Sequence, residues 1–161
     1  MKRNGTTRAS RGSGVTELDD RVRVALYERF VEEGEAPSAD DVASLLSVRV
    51  EDVTGAFRRL EEAHVIVLVP GTSDIWMANP LSAVPTAFAV ETSRGTFWGN
   101  CIWDGLGTVA MLGGNGTVTT HCPDCEEPTT LRVDGGRLID ADGVAHFAVP
   151  ARRWWDDIGF T

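Results

Sequence analysis

The sequence predicts an α+β protein: an N-terminal winged-helix-like three-helix module, then a small mixed β-sheet domain with one central helix. Three observations carry this reading. Apolar residues between 16 and 63 recur at the 3–4 spacing of helices. From residue 86 onward they fall in short runs bounded by Gly, Asp and Pro. One longer apolar stretch, starting near Cys101, interrupts those runs. The expected division is a disordered basic tail over 1–14, the winged-helix-like module over 15–78, and the second domain over 79–161.

The first 14 residues carry Lys2, Arg3, Arg8 and Arg11 and no acid, hence the reading as a tail. Residues 16–33 follow as a helix, with Thr16 as N-cap, acids Glu17, Asp19 and Asp20 in its first turn, and a stripe of Leu18, Val22, Ala25, Leu26 and Phe30. Gly34 and Pro37 end it. Ser38 to Asp41 has capping-box form and opens a second helix that buries Val42, Leu45 and Leu46. A third helix, over about 50–63, uses Val53, Phe57 and Leu60. The run 65–69 reads as a strand, 70–74 as a turn, and Ile75-Trp76-Met77 as its returning partner.

Pro80 and Pro85 bracket an extended junction beginning at Asn79. Strand-like runs follow at 86–91 and 95–98. The central helix spans about 101–112, weakened by Gly105 and Gly107 at about 1 kcal/mol each relative to Ala. Gly113 to Gly116 stops it. Further strands are expected near 117–120, 129–133, 137–140 and 144–149.

The chain has 161 residues and a net charge of −9, which disfavours nucleic acid as the main partner. The third helix also holds Glu51, Asp52, Glu61 and Glu62 against Arg58 and Arg59, a poor balance for reading DNA. No run approaches 18 apolar residues and no apolar segment follows the basic tail, so neither a membrane span nor a signal peptide is expected. The expected location is cytoplasmic, with the three cysteines reduced and at least one lacking an intrachain partner.

The chemistry concentrates at Cys101 and Asp104. A thiol and a carboxyl three residues apart at a helix start can face one small volume. The helix dipole and its free N–H groups lower a thiol pKa there. A soft nucleophile beside a proton donor suits binding of a soft metal and protonation of what leaves it. The competing reading makes Cys101 a small buried hydrophobe and Asp104 a capping acid.

His121-Cys122-Pro123-Asp124-Cys125 supplies half of a zinc site at Cys122 and Cys125, or a redox pair; His64, His121, His146 or Cys101 would have to complete a tetrahedral site. The alternative is a turn with one cysteine facing the core. His146 lies in a strand-like run and reads as structural. Trp154-Trp155-Asp156-Asp157 reads either as a packed aromatic corner or as the wall of an apolar ligand site.

Taken together, these segments resemble the organomercurial (alkylmercury) lyase family, as a diverged or C-terminally shortened member. The likeness lies in Pro80–Pro85, Trp98-Gly99-Asn100-Cys101-Ile102-Trp103-Asp104, His121-Cys122-Pro123 and Val149–Asp157, and covers roughly residues 17–161. It implies a catalytic, metal-binding domain over 79–161 that cleaves carbon–mercury bonds. It also implies an N-terminal module that does not read DNA. By resemblance, Cys101 is the thiolate that attacks mercury. Asp104 takes part in proton transfer to the leaving carbon and contacts the metal, and Cys122 is a structural thiol. No cofactor is required, Hg(II) is the product, and small-molecule thiols are partners.

The family pattern also has a second catalytic cysteine near the segment matching Trp154–Thr161, and no cysteine follows Cys125 here. Three readings stay open: a shortened chain, a diverged member with another role, or Cys125 serving as the second thiol and metal ligand. The functional alternatives are a non-catalytic thiol-based metal-binding protein on the same fold and, behind it, a metal-responsive winged-helix regulator.

Overall fold

The computed structural model describes residues 16–139 and 143–159. The basic tail over 1–14 and the turn at Asp142 lie outside the described residues. Three helices come first: α1 (Glu17–Glu33), α2 (Ala39–Leu46) and α3 (Val50–Glu62). The hairpin β1 (Ile66–Leu68) and β2 (Ile75–Ala78) follows, and then β3 (Leu81–Ser82). The rest comprises β4 (Ala89–Thr92), β5 (Gly95–Trp98), α4 (Ile102–Met111), β6 (Gly116–His121), β7 (Pro128–Asp134), β8 (Arg137–Ile139) and a 3-10 turn over Ala151–Asp156. This is an α+β fold.

Local chemistry explains the helix starts. Thr16 and Ser38 each accept from the backbone N–H three residues on, while Asp19 and Asp41 bond back to the cap N–H. These reciprocal bonds satisfy donors that a helix N-terminus leaves free. Asp19 is fully shielded from water, and Arg59 of α3 clamps it through Nε at 3.0 Å and one terminal nitrogen at 2.6 Å. One carboxylate thus caps α1 and ties it to α3.

The strands form two sheets. The three-stranded sheet runs β1-β2-β3, and the five-stranded sheet runs β5-β4-β6-β7-β8. The second sheet was expected to be mixed. Every pairing in it is antiparallel among the described residues, because each of its links except that through α4 is a short turn. Strand pairing crosses from residue 78 to the segment beyond it, since Met77 pairs with Ser82 and Ala78 with Leu81. A lone bridge from Leu81 to Gly99 joins the two sheets. One apolar core runs through both, from Val22, Phe30 and Phe57 to Val90, Val109 and Val118.

The strand expected over 144–149 is absent, and the segment is irregular. Its apolar residues serve another purpose. His146, Phe147, Ala148 and Val149 line a cleft rather than a sheet face, and the Trp154 indole N–H donates to the Val149 carbonyl at 2.8 Å. No helix among the described residues is long and apolar enough to cross a membrane.

Candidate active site

Two glycines set the site's backbone. A Cβ on Gly99 would lie 2.5 Å from the Gly105 backbone nitrogen, and one on Gly105 would lie 2.8 Å from a Val118 methyl. The chain leaving β5 therefore presses directly onto the first turn of α4, and α4 presses onto β6. Gly99 is pinned there by its N–H to the Phe88 carbonyl (3.0 Å) and by the Thr86 hydroxyl to its own carbonyl (2.6 Å). The next two residues, Asn100 and Cys101, are thereby delivered to the start of α4.

Cys101 is the N-cap of α4, and Asp104 is its third residue. The same positions are held by Thr16 and Asp19 on α1 and by Ser38 and Asp41 on α2. In those pairs the hydroxyl is consumed by the cap, and bonding holds Asp41 below, and Asp19 well below, the usual carboxylate range. At α4 a thiol replaces the hydroxyl and makes no full cap hydrogen bond. Its sulfur remains available for other chemistry.

Electrostatics at this pair differ from the sequence expectation. Burial pushes the Cys101 thiol up, and the Asp104 charge adds to that; the N–H groups of Asp104 and Trp103 pull the other way and lose. The helix N-terminus was expected to lower this pKa, but desolvation outweighs it. Burial also raises Asp104, against donors from the Asn100 amide and the Cys101 thiol. Thiol and carboxyl thus share the half-buried start of α4, each with its charged form disfavoured by burial.

A second set of contacts holds Asn100. Its amide nitrogen lies 3.4 Å from the Asn79 side-chain oxygen, while its own oxygen is buried with no partner among the described residues. The Tyr27 hydroxyl of α1 donates to the Asn79 carbonyl at 2.7 Å. Burial lifts Tyr27 to about 12, with the nearby Asp104 charge contributing. Neither Asn79 nor Tyr27 was singled out from sequence. Their separation from Cys101 along the chain leaves no motif to find.

These residues line a cleft of about 560 Å³. Its polar groups include Asn79, Asn100, Cys101, Asp104 and His146, and its walls are Met77, Phe88, Ile102, Trp103, Phe147, Trp154 and Trp155. Trp154 and Trp155 both line this cleft. Trp155 also stacks on His64, with ring centroids 3.9 Å apart. His146 faces the cleft rather than a core.

The other cysteines lie elsewhere. Cys122 and Cys125 sit in the β6–β7 turn, and neither lines the cleft. Cys101 is the one thiol there among the described residues. The described residues also gather no cluster of three or more His, Cys, Asp and Glu side chains around a common point. His64, His121 and His146 do not complete a four-ligand site with the Cys-x-x-Cys pair. On α3, Arg59 is committed to Asp19.

An α+β scaffold that buries a thiol and a carboxyl together against aromatic walls defines a class of thiol–acid site. The alkylmercury lyase family profile matches residues 81–161, half of the chain, and the protein belongs to that family. The mercury-bound form of MerB2 has a similar fold, with TM-score 0.57 and 18% identity over 77% of this chain and 66% of that one. At that identity the likeness concerns the fold. The chain spans just under two thirds of that relative. No curated protein matches in sequence.

Proposed function

We propose that this protein cleaves carbon–mercury bonds by protonolysis, with Cys101 as nucleophile and Asp104 as proton carrier. The observation that carries the reading is the pairing of thiol and carboxylate in one half-buried, aromatic-walled cleft. The organic group of RHgX packs against the apolar walls. The Cys101 sulfur bonds to mercury, its proton passes to Asp104, and X⁻ departs. Soft Hg(II) favours a thiolate strongly enough to drive that ionisation despite the raised thiol pKa.

Asp104 then delivers its proton to the carbon, the carbon–mercury bond breaks, and RH leaves. A carboxyl held above its ordinary range by burial keeps the proton until carbon takes it. Mercury is left on the Cys101 sulfur beside the Asp104 carboxylate. Two small thiols remove it as Hg(SR′)₂ and return a proton to Cys101. The sum is RHgX plus two R′SH giving RH, Hg(SR′)₂ and HX. In this scheme the external thiol does the work of a second cleft cysteine.

The test is benzene release from phenylmercury in excess small thiol, followed by gas chromatography. Wild type is expected to turn over and Cys101→Ser to be inactive. Absence of benzene where a known lyase produces it, or full activity in Cys101→Ser, overturns the catalytic reading. The single thiol in the cleft also favours a second reading, stoichiometric capture without cleavage. That reading predicts one RHg⁺ retained per chain, dependent on Cys101, with no hydrocarbon released.

A further inference from the structure

The turn joining β6 to β7 is built around Cys122-Pro123-Asp124-Cys125. The Glu126 N–H donates to the Cys122 carbonyl at 2.8 Å, and the Cys122 N–H donates to the Glu127 carbonyl at 2.9 Å. Glu126 takes φ +58° to close the turn. This folding brings the Cys125 thiol and the N–H groups of Asp124 and Cys125 against the Cys122 sulfur. Cys122 is half-buried and Cys125 exposed. The turn therefore sets both thiols on one tight loop, Cys125 open to solvent and Cys122 partly so, apart from the cleft's lining.

Zinc in such a site needs four ligands, and the described residues gather no third one here. Two thiolates alone satisfy a soft ion that accepts linear coordination. We propose that Cys122 and Cys125 form a second site that binds one Hg(II) between two sulfurs. The choice of Hg(II) among soft ions rests on the carbon–mercury chemistry proposed above; the two-thiol geometry does not. Loading is ligand exchange: Hg(SR′)₂ plus the two protein thiols gives the Cys122–Hg–Cys125 chelate and two R′SH. No oxidant or reductant takes part. The tethered second thiol favours the chelate over two separate thiols by about 10²-fold or more.

The experiment uses the full chain carrying Cys101→Ser, HgCl₂ and a competing small monothiol. Metal content after gel filtration and thiolate-to-mercury charge-transfer absorption are the readouts. One Hg(II) per monomeric chain is expected. Adding Cys122→Ser or Cys125→Ser should weaken retention by at least about 100-fold, with circular dichroism unchanged. ZnCl₂ should not be retained under the same conditions. Loss of mercury from the Cys101→Ser chain, equal retention after removal of either turn cysteine, mercury held only between two chains, or retained zinc each overturns the proposal. Benzene release by the Cys122→Ser/Cys125→Ser variant, with Cys101 intact, reports on the lyase reading separately.

Discussion

The Tyr27 hydroxyl donates a 2.7 Å hydrogen bond to the Asn79 carbonyl, across 52 residues of sequence. Asn79 in turn faces the Asn100 amide, one residue before the candidate nucleophile. The helical half of the molecule is therefore wired to the cleft. Tyr27→Phe leaves the Asn79 carbonyl without this donor and should cost about 1 kcal/mol of stability by denaturant unfolding. If Asn79 positions Asn100, the variant should also lose protonolysis rate more than it raises KM. An unchanged unfolding midpoint would remove the hydrogen bond from the account.

Asp104→Asn separates the two proton roles. In wild type, protonating Asp104 removes the acceptor for the thiol proton, so activity should fall on the acid side at a pH above the ordinary carboxylate range. The variant should lose that acid limb and retain only slow turnover that rises with pH through the elevated Cys101 ionisation. Loss in the neutral range should be about 10²-fold or more. The stability sign is opposite to that of a salt-bridged acid. A carboxyl raised by burial favours folding while protonated and loses that contribution as pH rises through its folded pKa. Asp104→Asn should therefore melt above wild type at alkaline pH, checked by calorimetry.

Gly99→Ala places a methyl group 2.5 Å from the Gly105 nitrogen, a backbone atom that cannot rotate away. The expected loss is about 1–3 kcal/mol, with protonolysis abolished because Asn100 and Cys101 move with Gly99. A variant that unfolds like wild type and retains activity contradicts the close-packed strand–helix junction.

The Asp19–Arg59 pair gives a separate acid-stability prediction. Hydrogen bonds from Arg59 chiefly hold Asp19 at about 2, below the ordinary 3.8. Its contribution is present above the unfolded-state value and fades as pH falls from about 4 to about 2. Arg59 is 43% exposed, so water screens the pair and about 1–2 kcal/mol is expected. Asp19→Asn should lower the neutral-pH unfolding free energy by that amount and flatten its slope between pH 2 and 4.

Much of this molecule is legible in the sequence. The cap-and-stripe pattern places α1, α2 and α3 within a residue or two, because capping and amphipathic spacing are local physics. Cys101 and Asp104 stood out for the same reason, as neighbours on one helix start. The segment over 144–149 misleads a local reading, since a short apolar run looks alike whether it enters a sheet or lines a cleft. The thiol pKa escapes it too: dipole effects are local, whereas burial is set by the tertiary fold, whose cleft beside Cys101 is also lined by Met77, Phe88 and Trp155, far away in sequence.

What the chain determined by itself was therefore short-range: helix starts, hairpin turns, and a thiol set beside a carboxyl. Tertiary structure alone decided what surrounds that pair. It put Asn79 and Tyr27 behind it, aromatic side chains around it, and Cys122 and Cys125 outside the cleft. The physical reason is that capping bonds close within one turn of chain, while desolvation is set by whatever the whole fold packs against a site.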